Sequence, residues 1–159
     1  MMEKAIAKFA NKQFDGSLKP LLEGLENYLG LSTKGCFVFL AGYGLKYPDS
    51  YTEHINDSFD SKGSEWRNDT DTVYDTAVDI LIERYSARHN LQFKDVRSNA
   101  EMLKKVVDEL MKIANAVGKG WLDTELSSFK KGIPGDEKET FVRLVSYFLE
   151  ELNKNIDLF

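Results

Sequence analysis

A single cysteine, Cys36, has no partner for an internal disulfide, so the fold must be held by packing alone. Residues 1–8 carry no apolar segment of leader length, and the longest continuous apolar run, residues 36–41, is far too short to cross a bilayer. The expectation is a cytoplasmic protein that does not enter a membrane. Two histidines, His54 and His89, with one cysteine cannot build a structural zinc site. There is no phosphate-binding loop, and Gly118-Lys119-Gly120 lacks the spacing of a dinucleotide fingerprint. No cofactor is expected. Only three prolines occur, none in the middle of a strong helical pattern, and there is no repeat or low-complexity tract. A net charge of −5 opposes direct nucleic-acid binding.

What is present is helical periodicity. At 159 residues the chain suits one domain with a core of its own, and it reads as an all-α, single-domain bundle of about six helices spanning residues 1–159. Residues 2–13 form a short amphipathic pattern around Ile6, Phe9 and Ala10. Ser17 is placed to cap a helix with Pro20 in its first turn and Gly30 at its end. Residues 34–47 suit either a buried strand or a buried helix; helix is preferred because a lone strand would have nothing to pair with. Residues 48–71 form a long polar, acidic connection. Residues 72–89 place Val73, Tyr74, Ala77, Val78, Ile80, Leu81 and Tyr85 on an inward face. Ser98-Asn99-Ala100-Glu101 matches a capping box before an apolar stripe from Leu103 to Val117, with Gly118 as terminator. A short helix over residues 121–131 and a last one capped by Asp136 complete the set.

The charge layout is uneven. Asp71, Asp75, Asp79 and Glu83 recur every four residues and share one side of a helix. Like charges at that spacing repel by a few tenths of a kcal/mol per pair (roughly 0.2–0.5), so cations of the same chain or of a partner must offset them. Between positions 49 and 83 ten acidic residues face only Lys62 and Arg67, a net of −8, while the remainder of the chain is +3. One outcome is a solvated face. The other is a docking surface for a basic protein, such as a nuclease or another nucleic-acid-binding enzyme, built from Asp57, Asp60, Asp69, Asp71, Asp75, Asp79 and Glu83. Arg88, Lys94 and Arg97 would set a small basic patch beside it. The acidic run lacks the glycine and distal glutamate of a calcium loop, so no metal is expected.

Arg84-Tyr85-Ser86-Ala87-Arg88-His89 resembles the R-x4-H motif of HEPN-type ribonucleases, which are also helical bundles. The resemblance implies that Arg84 would hold a scissile phosphate and His89 would shuttle a proton. Cations at a helix C-terminus also have a purely structural reason to be there. A third feature is the tyrosine-rich segment at 43, 47 and 51, which suits either a core or a contact within a larger assembly. Cys36 and His54 are not brought together by anything in the sequence. The leading expectation is a non-catalytic interaction module of the acidic inhibitor or immunity-protein type.

Overall fold

The computed structural model describes residues 12–57, 65–66 and 72–153; for Lys12, Glu65, Trp66, Leu152 and Asn153 only the backbone is described. Six α-helices pack around a single core. They are α1 (Lys19–Leu29), α2 (Thr33–Lys46), α3 (Asp75–Arg88), α4 (Phe93–Ser98), α5 (Ala100–Asp123) and α6 (Lys138–Asn153). Two residues on either side of α1 and α2 add a small antiparallel pair, β1 (Lys12–Gln13) with β2 (Glu65–Trp66), in the register Lys12 to Trp66. The amphipathic pattern over residues 2–13 lies almost wholly outside the described residues, and its last two residues are strand.

The ambiguous apolar run is the centre of the molecule. It forms α2, started by the Ser32 side chain accepting from the Gly35 N–H at 3.1 Å. Every residue from Lys34 to Gly42 is buried, as are Gly44 and Leu45. A helix that is apolar all round must be covered all round, and α1, α3, α5 and α6 do this. Gly44 sets the spacing to α5. A Cβ there would sit 2.3 Å from the Ile113 side chain, so only a glycine lets the two backbones come this close.

α5 is longer than its sequence suggests. Gly118 does not end it; the helix runs on to Asp123, about 36 Å in all. The apolar stripe continues through Trp121 and Leu122, and the missing side chains at 118 and 120 leave room for Leu18 and the Ser50 carbonyl. Trp121 then stacks on Phe148 of α6, with centroids 4.1 Å apart. Residues 124–126 leave the helix through turns and Ser127–Phe129 form a single 3-10 turn, so no separate α-helix spans 121–131. The cap of α5 is Asn99, whose side-chain oxygen accepts from Glu101 and Met102 N–H. Ser98 instead ends α4, a short helix with no sequence expectation of its own.

At the start of α1, Asp15 rather than Ser17 is the capping residue, and it caps a single 3-10 turn at Gly16–Leu18. Gly30 ends α1 in the left-handed conformation, φ 73°, as expected. α6 lays Phe141, Val145 and Phe148 into the core. On α3 the inward residues are Val78, Leu81, Ile82 and Ser86. Tyr74, Ala77 and Tyr85 pack against the core as expected, whereas Val73 and Ile80 are exposed, a correction to those two positions of the expected inward face. Among the described residues no helix is long and apolar enough to cross a membrane.

Gly44→Ala tests the close approach. Better helix propensity returns at most about 1 kcal/mol, whereas overpacking against Ile113 costs about 1–3 kcal/mol. The denaturation midpoint of Gly44→Ala should fall. Gly135→Ala, with nothing within 4 Å of its added carbon, should leave it almost unchanged.

Candidate functional site

On α3 the acidic ladder is a flank rather than the outermost surface. Helix geometry puts Thr76, Ile80, Glu83 and Ala87 outermost, and all four are exposed. Asp75 and Asp79 sit at the edge where α3 meets its neighbours. Asp75 Oδ1 accepts from Lys34 Nζ at 2.8 Å, and the Lys34 side chain is fully buried while Asp75 stays half-exposed. Asp79 Oδ1 accepts from Arg97 Nη1 at 2.7 Å, which ties α3 to α4. Glu83 is exposed, with Arg84 Nε 3.6 Å away, beyond hydrogen-bond reach. Asp60, Asp69 and Asp71 lie outside the described residues.

Asp57 belongs to a different cluster. His54 lies between two carboxylates, Nδ1 at 2.7 Å from Asp57 and Nε2 at 2.7 Å from Asp123. Nδ1 is within hydrogen-bond reach of Asp57, while Nε2 faces Asp123 at ion-pair distance without hydrogen-bond geometry, and two carboxylates around one ring favour its charged form. Burial alone would lower the imidazole pKa, but Asp57 and Asp123 outweigh it and hold it above the ordinary value. Asp57 is held low by His54, and Asp123 by Lys130 first and His54 second. Lys119 stands 3.6 Å from Asp57 and 3.7 Å from Asp15, and Lys130 is 2.5 Å from Asp123. A ring favoured in its charged form is a poor general base. The cluster pins the chain after α2 onto the end of α5.

Arg84 does not line the cavity that His89 lines. His89 follows the last turn of α3, stacks on Tyr85 at 4.0 Å, and holds the Tyr85 carbonyl at 2.8 Å through Nδ1. It lines a cavity of about 440 Å³ between α3 and α5, and Arg84 is not on that wall. Arg88 donates to the Leu45 carbonyl at the end of α2. The tyrosines turn inward. Tyr43 packs on Tyr47, Trp121 and Phe148, and burial first, with nearby ionisable groups, pushes its hydroxyl up to about 12. Tyr47 donates to the Glu151 carbonyl at 2.8 Å. Cys36 is fully buried, and burial raises its thiol well above the ordinary range, so it is no nucleophile. No cluster of three or more metal-ligating side chains occurs among the described residues.

No protein-family model, curated protein or solved structure matches the chain. The residues must therefore speak for themselves. Sequence reasoning missed Lys34, whose only signal was a lysine at the head of an otherwise apolar run. It also missed His54–Asp123, a contact across 69 positions with no local pattern.

Two outcomes follow. Asp75→Ala removes a 2.8 Å partner from an ammonium shut off from water and should cost about 2–3 kcal/mol in chemical denaturation. Lys34→Met should cost less, because Asp75 can rehydrate. The His54 contribution has its own pH signature. A raised folded pKa means stability that is complete below the ordinary imidazole value and lost as pH rises through the folded one. The carboxylates, being lowered, contribute above their ordinary values. The gap in melting temperature between wild type and His54→Gln should be widest near about pH 5.5 and shrink by about pH 9.

Proposed function

We propose that this chain is a non-catalytic binding domain that docks on a basic protein through the outward side of α3. The observation that carries the reading is the exposed Ile80 (38%) on the outward side of α3, with Val73 (83%) exposed in the turn that leads into the helix and an acidic rim alongside; the other large exposed apolar side chain among the described residues, Tyr147 at 55%, is on α6. Apolar centres with a polar rim are the usual anatomy of a protein contact. The rim is Glu83 with the solvent-facing sides of Asp75 and Asp79. Their pairing with Lys34 and Arg97 leaves Glu83 and the exposed oxygens of Asp75 and Asp79 facing solvent, which would steer a basic partner towards the patch. The pairing does change which residues give a clean test. Neutralising Asp75 or Asp79 loosens the fold, so a loss of binding there would be ambiguous. Val73, Ile80 and Glu83 are the informative positions.

The ribonuclease reading has less support, because Arg84 and His89 are not on one cavity wall. Assembly through residues 43–51 has less support because those rings pack within the molecule.

The test is site-specific photo-crosslinking in an extract of the source cells. A crosslinker at position 80 should capture one basic protein, and the same group at Arg143 on α6 should not. Capture should fall steeply above about 0.5 M salt. With the captured protein purified, Ile80→Asp should weaken binding about tenfold or more. Equal capture from both positions, or unchanged affinity for Ile80→Asp, would end the proposal. So would RNA cleavage that His89→Ala abolishes while the fold stays intact.

A further inference from the structure

We propose that the cavity between α3 and α5 binds a small aromatic carboxylate, independently of the docking side of α3. Its volume, about 440 Å³, lies within the range that holds small organic ligands. The floor is apolar, made by Leu91, Met102 and Val106. One wall is the stacked pair Tyr85–His89, its rings 18° from parallel, which suits a flat ligand body.

The rim sets the sign of the charge. α5 carries Lys104, Lys105 and Lys112 along this region. Lys104 is paired with Asp108 at 3.0 Å, and Lys112 with Glu109 at 3.3 Å. Lys105, on the cavity wall, has no carboxylate partner among the described residues. Glu109, the acidic residue on the same wall, already has its cation in Lys112. The unmatched charge is therefore positive. His89 is held in place by its Nδ1–H, which donates to the Tyr85 carbonyl at 2.8 Å and fixes the ring that stacks on Tyr85. Burial first, then the charge of Glu109, keeps the Tyr85 hydroxyl protonated, so it remains a donor at neutral pH. A flat apolar slot with one ammonium and the Tyr85 hydroxyl at its rim recognises an aromatic ring bearing a single carboxylate. A cationic ligand would meet the Lys105 ammonium at a rim whose charges, Lys105, Glu109 and Lys112, sum to +1.

The experiment uses the full chain, isotopically labelled, titrated with 2-naphthoate and separately with the neutral 2-naphthylmethanol, and read by amide chemical shifts. Naphthoate should give saturable shifts centred on Leu91, Met102 and Val106. Lys105→Gln, a surface change that spares the core, should weaken naphthoate about fivefold and leave the neutral alcohol unchanged. Met102→Trp, which fills the floor, should remove both. Absence of saturable shifts at millimolar naphthoate, shifts centred elsewhere, or an unchanged naphthoate affinity in Lys105→Gln would each overturn the proposal.

Discussion

Everything in this molecule is arranged around the need to cover α2. A helix apolar on every face has no orientation preference of its own, so the neighbours decide how it sits. Its polar ends supply the missing direction. Lys34 at the start holds Asp75 of α3. Lys46 at the end reaches the Glu151 carbonyl in the last turn of α6, at 2.7 Å. Carbonyls in a last helical turn lack intrahelical partners, so a lysine there satisfies an open acceptor and suits the dipole as well. Two lysines thus fix which helices meet which end of the central rod, while Gly44 fixes how near α5 can come.

The same ties determine what α3 offers to solvent. With Asp75 drawn to α2 and Asp79 to α4, the helix is rotated so that Thr76, Ile80 and Glu83 face outward. The acidic ladder is therefore part of the fold before it is part of any contact. Its repulsion is offset partly within the chain, at Asp75 and Asp79, and Glu83 is left exposed beside Ile80 and Ala87. Function, in the reading favoured here, follows from the orientation of one helix set by two ion pairs.

The helical class, the inward stripes of α5 and α6, and the end of α1 at Gly30 were legible because each depends on neighbours within a few turns. The facing of α3 was legible in the main, since Tyr74, Ala77, Val78, Leu81 and Tyr85 pack against the core as the pattern implies. Val73 and Ile80 look inward on the same pattern and are exposed, and the pairings of Lys34 and Arg97, 41 and 18 positions from their partners, left no local signal. Gly118 reads as a terminator because glycine usually ends a helix; here it is a gap that Leu18 fills, a reason carried by another element. For the site, residue types were visible and their pairings were not. The clearest case is His54, fixed by Asp57 nearby and by Asp123 from a distant helix.

Native-state hydrogen exchange tests the central place of α2 most directly. Amides of residues 37–45 should open only with the whole molecule, at the free energy of global unfolding measured by denaturant, and no less protected than the middle of α5. If those amides exchange through a cheaper, local opening while α5 stays closed, α2 is not the element on which the others are assembled.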